Sequence, residues 1–116
     1  MLQRRVYSFN EVDWKPFSKD CVTKIYSRSL LLDGFDILNI SLTKVEPGGE
    51  FGMHTDAYNH IFYFLIGTGE GRIGDETYEI RPGVVAEVPA GEVHAYKNRG
   101  KEEMFLITMN ISEKQK

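Results

Sequence analysis

The apolar residues of the chain fall into short runs separated by small groups of glycine, proline, aspartate and asparagine. Within several runs, apolar and polar positions alternate with a period of two, as in Val22–Ser27, and this alternation is typical of a strand with one buried face. No segment combines a 3.6-residue apolar period with the capping residues of an amphipathic helix. The pattern predicts strands at residues 5–9, 22–27, 37–45, 51–54, 60–66, 71–74, 77–80, 84–88, 93–97 and 104–111.

Residues that favour tight turns separate the predicted strands. These turns are predicted at Asp33-Gly34, Pro47-Gly48-Gly49, Gly74-Asp75, Pro82-Gly83 and Pro89-Ala90-Gly91. The Gly74-Asp75 pair is expected to join two strands into a hairpin. Many short strands with turns at this spacing indicate an all-β sandwich or barrel.

The run from His60 to Ile66 is apolar at both its odd and its even positions. A strand of this kind is covered on both faces, so we expect the interior of a barrel on one side and further structure, such as a dimer partner, on the other. If His60 points inward, the two-residue period sends Phe62, Phe64 and Ile66 inward as well. The same rule places Tyr96 and Asn98 on the face of His94.

Two other strands offer a choice of inner face. In residues 104–111, one set of alternate positions consists of Met104, Leu106, Thr108 and Asn110, and the other of Phe105, Ile107, Met109 and Ile111. The second set is the more apolar and is the expected core face, although the sequence leaves either set open. In residues 37–45, either Ile40 and Leu42 or Leu38 and Ile40 are expected to add to the wall of the interior.

Length and composition limit the classes of function. The chain has 116 residues, which fits one domain over residues 1–116. The net charge of −3 and the pI near 5.6 give no reason to expect binding to nucleic acid or to an anionic membrane. No apolar run approaches the length of a membrane span, and Met1-Leu-Gln-Arg-Arg leads into no signal-peptide core, so a cytoplasmic location is expected. Cys21 is the only cysteine, which excludes an internal disulfide and favours a buried structural thiol.

The three histidines of the chain all lie between residues 54 and 94. His54 and Asp56 are two residues apart, so in an extended segment both side chains point to the same face. His60 opens the next apolar run after a short link. His94 is expected on the second strand of a hairpin whose first strand is residues 84–88. Two hairpins facing one another would bring these four side chains to a common point inside a barrel.

Here the residues resemble a known family. The segment from Gly48 to Gly67 resembles the first motif of the cupin family, G-x5-H-x-H-x3-E-x6-G, with His54 at its first histidine. Asp56 stands where the second histidine is expected, and His60 stands where the glutamate is expected.

The second cupin motif, G-x5-P-x-G-x2-H-x3-N, is matched at every fixed position between Gly83 and Asn98. The resemblance implies an all-β, cupin-type double-stranded β-helix, which is a jelly-roll barrel. It also implies a metal site at the positions of the two motifs.

Cupins commonly bind metal with three histidines and one carboxylate, and the chain offers the same set, with the carboxylate at the second ligand position instead of the third. The resemblance therefore implies that His54, Asp56, His60 and His94 hold one divalent transition metal. Such a donor set suits Mn, Fe, Ni, Cu, Co or Zn. The short side chain of Asp56 leaves three roles open for it: direct ligand, partner of a bound water or of a histidine, or solvated turn residue.

The resemblance leaves two classes of function open. The first is a metal-dependent enzyme, of the oxygenase, decarboxylase or isomerase type, that acts on a small organic molecule inside the barrel, with oxygen-dependent chemistry favoured. Phe62, Phe64 and Tyr96 are then the expected substrate-binding residues, with core packing as their alternative role, and no catalytic residue can be named. The second is a non-catalytic barrel that binds or senses a metal or a small ligand. A barrel that has lost its metal is a third, less favoured reading.

Small cupins also commonly pair. The resemblance therefore implies a homodimer, in which the first strand, residues 5–9, could add to the sheet of a neighbour.

Overall fold

In the computed structural model, residues 2–16, 24, 26–27 and 33–114 are described, and most of them lie in antiparallel strands. The strands are β1 (Arg5–Ser8), β2 (Lys15–Pro16), β3 (Tyr26–Ser27), β4 (Phe35–Val45), β5 (Glu50–His54), β6 (Asn59–Ile66), β7 (Gly69–Ile73), β8 (Glu76–Ile80), β9 (Val84–Val88), β10 (His94–Asn98) and β11 (Met104–Glu113). Within these ranges, a short 3-10 helix at Phe9–Glu11 is the single helical element. The described residues contain no helix that could span a membrane. The predicted all-β class is confirmed. Cys21 and three of the six residues of the predicted strand at 22–27 lie outside the described residues.

The larger strands form two sheets. One has five strands in the order β1-β9-β6-β11-β4, and the other has four in the order β5-β10-β7-β8. The sheets share one core, because buried side chains from both sheets pack in a single cluster. The hairpin predicted at Gly74-Asp75 is present, since β7 pairs with β8 from Ile73 opposite Glu76.

The predicted hairpin of residues 84–88 with the strand at His94 is wrong. β9 pairs with β1 and β6 in the larger sheet, whereas β10 pairs with β5 and β7 in the smaller one. The link between them crosses from one sheet to the other, and Gly91 adopts the left-handed φ of +82° within it. The β5–β6 link also crosses, and the two links are joined by the Gly91 N–H donating to the carbonyl oxygen of Asp56 at 2.9 Å.

The inner face of β6 follows the predicted period for most of its length. Phe62 and Phe64 are buried in the shared core, but Ile66 is 51% exposed and does not point inward as predicted. The cause is an irregularity in the pairing with β11. Phe105 is paired with Ile66, but the next residue, Leu106, is paired with Phe64, two residues away along β6. Such a bulge places one extra residue in a strand and reverses the faces beyond it.

The inner face predicted for the last strand is wrong. Met104 and Leu106 of β11 are buried in the shared core, while Ile111 packs in a second cluster with Tyr7, Ile61 and Val85. Both faces of β11 contact apolar neighbours, so the more apolar set does not identify the inner one.

The wall residues predicted on β4 are also wrong. Ile40 and Leu42 are 57% and 70% exposed, and the alternative inner residue Leu38 is 58% exposed. The intervening Ser41 and Thr43 line the interior cavity instead.

The other face of β6 is covered in part by the chain itself. Ile61 is fully buried in the second cluster, beneath Tyr7 of β1. β1 pairs with β9 of the same chain, with Val6 opposite Ala86. At this place the Tyr7 hydroxyl donates to the buried carboxylate of Glu87 at 2.9 Å.

Candidate metal centre

The four residues predicted as metal ligands come together at one end of the space between the two sheets. His54 ends β5, Asp56 lies in the link that follows, His60 lies near the start of β6 and His94 begins β10 opposite His54. The Oδ2 atom of Asp56 lies 2.7 Å from Nε2 of His60, 3.2 Å from Nε2 of His54 and 3.4 Å from Nε2 of His94. One carboxylate oxygen is therefore surrounded by three imidazole nitrogens.

The other nitrogen of each histidine is held by an oxygen. Nδ1 of His54 lies 2.7 Å from the carbonyl oxygen of Gly52, and Nδ1 of His94 lies 2.9 Å from that of Glu92. Nδ1 of His60 lies 2.8 Å from the side-chain oxygen of Asn110. Because carbonyl and amide oxygens only accept hydrogen bonds, each Nδ1 donates, and in a neutral ring the Nε2 lone pair is left pointing at the cluster.

Lone pairs that face a carboxylate repel it unless a cation or a proton lies between them. The Nε2 atom of His94 is buried and makes no hydrogen bond with any described residue. A buried polar atom without a partner costs about 1–3 kcal/mol, so this nitrogen indicates a missing partner. The donor set of imidazoles and a carboxylate suits a divalent transition metal.

The spacing of the donor atoms also fits a metal ion. The donor atoms of His54, Asp56 and His94 all lie within 4.8 Å of one another. Ligands about 2.1 Å from a common ion, at tetrahedral or right angles to one another, lie about 3.0–3.4 Å apart. The distances of 3.2 and 3.4 Å from Asp56 to His54 and His94 fall in this range. His60 lies closer to Asp56, at hydrogen-bond distance.

The electrostatics favour the ligand forms of two of these groups. Burial raises the pKa of Asp56, but the hydrogen bond with His60 and the electrostatic interactions with the three histidines outweigh this, so the pKa lies below its usual value. Burial lowers the pKa of His94, and the hydrogen bond to the Glu92 carbonyl offsets this only in part. An ionised Asp56 and a neutral His94 are the forms that bind metal.

The cluster lies on a cavity of about 250 Å³ between the sheets. Of the three residues predicted to contact substrate, Phe62 and Tyr96 line this cavity, whereas Phe64 lies deeper in the core and packs on Tyr96 with ring centroids 6.2 Å apart. The other lining residues, apart from the cluster itself, are Ser41, Thr43, Phe51, Tyr58, Thr108 and Asn110.

Sequence reasoning did not identify the polar wall of the cavity or the partner of His60. On β4, polar residues alternate with Ile40 and Leu42, and this alternation suggests polar residues facing water. The pairing of β11 with both β4 and β6 places Thr108 opposite Ser41 and Asn110 opposite His60, and these polar residues line the same cavity as His60.

Arg4, which lies outside the cluster, is connected to His94 through Glu92. The guanidinium of Arg4 donates from Nη2 to Oε1 of Glu92 at 2.7 Å and from Nη1 to Oδ1 of Asp75 at 3.1 Å. Because the carbonyl oxygen of Glu92 accepts from Nδ1 of His94, this contact connects the N-terminal segment to the orientation of the His94 ring.

Comparisons with known proteins agree with this fold. The family profile described as a cupin domain matches residues 41–110, which include the histidines and the strands that carry them. No curated protein matches the chain.

Three solved structures illustrate the likeness. A predicted oxalate decarboxylase from Thermotoga maritima is 25% identical, with a TM-score of 0.61, and the match covers 65% of this chain and 66%, just under two thirds, of that one. A protein from Bacillus halodurans is 18% identical with a TM-score of 0.63, over 70% of this chain and 67% of that one. The oxalate decarboxylase of Bacillus subtilis, which has Mn(II) centres, is 20% identical with a TM-score of 0.57, over 64% of this chain but only 23% of that one.

At such identities the last two structures support the fold alone. The family profile covers more than half of the chain, and the two facing antiparallel sheets are the architecture that its motifs imply. The chain belongs to the cupin family.

Proposed function

We propose that the chain binds one divalent transition-metal ion through His54, Asp56, His60 and His94 and acts as a metal-dependent enzyme on a small organic molecule in the cavity. The observation that carries this proposal is the orientation of the three rings. Each Nδ1 is tied to an oxygen outside the cluster, and each Nε2 faces the same carboxylate oxygen.

The chain's own residues prepare the ligands and their surroundings. The hydrogen bonds at Nδ1 hold each imidazole in the tautomer and orientation that binding requires, so little is lost in ordering the site. Asp56 supplies one negative charge against the charge of the ion. A metal bound there with open coordination positions would supply Lewis-acid or redox chemistry.

The position of the cluster favours an enzyme over a purely structural site. The donor atoms lie on a cavity, so a small molecule can approach the bound ion. Phe62 and Tyr96 are buried and form an apolar inner side of the cavity. The reaction proposed is of the oxygenase, decarboxylase or isomerase type. The likeness to a predicted oxalate decarboxylase supports the decarboxylase type, and the three imidazoles, which suit redox metals, support the oxygenase type.

A non-catalytic binding or sensing role is the second candidate. One observation favours it: among the described residues that line the cavity, the only acidic or imidazole side chains are the four of the cluster. No further carboxylate or histidine there is placed to act as a separate acid or base. Turnover of a bound compound by the metal-loaded protein would favour the enzyme, and tight binding without turnover would favour the second candidate.

The experiment that tests the proposal is elemental analysis of untagged protein, with Asp56→Ala, His60→Ala and His94→Ala as variants. The matched control is Asp36→Ala, which removes an exposed carboxylate from β4. We expect about one equivalent of a transition metal in the wild type and in the control. In each of the three variants we expect at least a tenfold lower metal content. Circular dichroism shows whether each variant is folded.

Two results would contradict the proposal. The first is a wild-type protein that contains no metal and takes up none on titration. The second is metal that is retained equally by all the variants, because the ion would then be bound elsewhere.

A further inference from the structure

The part of β4 and β11 that lines the cavity is polar, whereas the part of the same strands that lies in the shared core is apolar. In the shared core, β4 and β11 bury Val45, Met104 and Leu106. Further along the same inner face, these strands present hydroxyl and amide groups to the cavity, from Ser41, Thr43, Thr108 and Asn110. Core packing alone would favour valine, which has nearly the shape of threonine. Hydroxyl groups at this level can form hydrogen bonds with a polar group in the cavity.

The Thr43 and Thr108 side chains form a hydrogen-bonded pair. Their Oγ1 atoms lie 3.2 Å apart, and both residues are half-buried. Each hydroxyl has one hydrogen and can accept two hydrogen bonds. A bond between the two uses only one of their two hydrogens. The other can be donated to an oxygen atom of a molecule in the cavity.

The rest of the cavity wall is aromatic: Phe62 lies directly opposite Thr108 on the adjacent strand β6, and Tyr96 lies on β10 of the other sheet. Phe62 and Tyr96 are 4% and 5% exposed, and their ring centroids lie 5.5 Å apart. Phe62 also stacks on His60, with ring centroids 5.4 Å apart and planes inclined by 21°. At the half-exposed mouth, Phe51 stacks on His54 at 4.1 Å and 26°. The flat faces of these rings suit a flat molecule, because aromatic pairs gain from stacked or edge-to-face contact.

The size and charge of the site limit its occupant. The cavity volume of about 250 Å³ exceeds the roughly 150 Å³ of a cavity that holds benzene, so it has room for one ring with small substituents. A divalent ion and Asp56 together carry one net positive charge, which a monoanion balances. None of the described lining residues is Arg or Lys, so a dianion would leave an uncompensated negative charge in a partly buried site.

We infer that the cavity takes a planar, single-ring monocarboxylate that carries a further hydroxyl or carbonyl oxygen. The carboxylate faces the ion, the ring lies along Phe62 and Tyr96, and the further oxygen accepts from the Thr43–Thr108 pair. This pair is therefore specificity-determining. The inference rests on the proposed function, since the bound ion balances the charge of the carboxylate.

The test is calorimetric titration of zinc-loaded protein with small probes, since zinc supports no redox reaction with them. The probes are 3- and 4-hydroxybenzoate, benzoate, cyclohexanecarboxylate and oxalate. We expect one of the two hydroxybenzoates to bind more tightly than benzoate, cyclohexanecarboxylate and oxalate. Benzoate should bind more tightly than cyclohexanecarboxylate, which has the same charge but no flat ring. Equal binding of these two, or tightest binding of oxalate, would overturn the assigned class.

Substitutions test the role of the threonine pair. Thr43→Val and Thr108→Val remove one hydroxyl each with little change of shape, and Thr77→Val, at an exposed position of β8, is the matched control. We expect each cavity variant to bind the hydroxybenzoate about fivefold more weakly and to bind benzoate within about twofold of wild type. An equal change for both probes, or no change for either, would show that the pair does not select the further oxygen.

The zinc content of each preparation separates this inference from the proposed function. Protein that binds no zinc would overturn the proposed function and this inference together. Protein that binds one equivalent of zinc but does not discriminate among the probes would overturn this inference alone.

Discussion

The hydrogen bond between Asn110 and His60 allows a direct test of how the site is organised. Nδ1 of His60 donates to Oδ1 of Asn110 at 2.8 Å, and His60 is 6% exposed, so water cannot easily replace this partner. Asn110→Ala removes the acceptor and leaves the ring free to turn. Loss of such a partner typically weakens metal binding by about 10–100-fold, or about 1.4–2.8 kcal/mol.

The metal-free protein should lose stability as well. The substitution leaves the buried Nδ1 group without an acceptor, which costs about 1–3 kcal/mol. The free energy of unfolding in urea, measured in the presence of a chelator, gives this cost. Competition with a chromophoric chelator gives the metal affinity of the folded protein.

Asn39→Ala is the matched control for this prediction. Asn39 lies directly opposite Asn110 on the neighbouring strand β4 but is exposed. We expect its removal to change the metal affinity by less than about twofold. Equal metal affinities for the Asn110 and Asn39 variants would refute the reasoning, because the orientation of His60 would then not depend on Asn110.

Three further predictions concern residues outside the cluster. Tyr7→Phe should lower the free energy of unfolding by about 1–3 kcal/mol, since it removes the hydroxyl that donates to the buried carboxylate of Glu87; an unchanged urea midpoint would contradict this. Arg4→Ala should weaken metal binding several-fold by freeing Glu92, whose carbonyl orients a histidine; an effect on stability alone, with equal metal affinity, would make Arg4 merely structural. The chain is expected to form a homodimer, and Leu42→Lys, at a side chain 70% exposed on the edge strand β4, should shift its mass in analytical ultracentrifugation toward the monomer; a wild-type monomer at micromolar concentration would refute the dimer.

Local features of the sequence predicted the strands well. The period-two runs correspond to described strands at nearly every predicted position, and the Gly74-Asp75 turn joins a hairpin as expected. These features depend on neighbouring residues only, because alternation and turn conformation are properties of a few consecutive residues. The four residues of the cluster could also be predicted, from the spacing of the two motifs.

The pairing between strands and the inner face of each strand could be predicted less well from the sequence. β9 and β10 are neighbours in sequence but lie in different sheets, because the link at Gly91 crosses between them. The bulge opposite Phe105 exposes Ile66, and the covered outer face of β11 makes both of its faces apolar. Each of these outcomes depends on contacts between residues far apart in the chain.

The sequence by itself determined the all-β class, the turns and the set of three histidines and one carboxylate, since residue types and short-range spacing specify them. The tertiary structure decided that Asp56 lies among the three Nε2 atoms, that Asn110 holds His60 and that Thr43 and Thr108 face the cavity. The physical reason is that a side chain's direction follows from the period of its own strand, whereas its neighbours follow from the register between strands, which packing of the whole core selects.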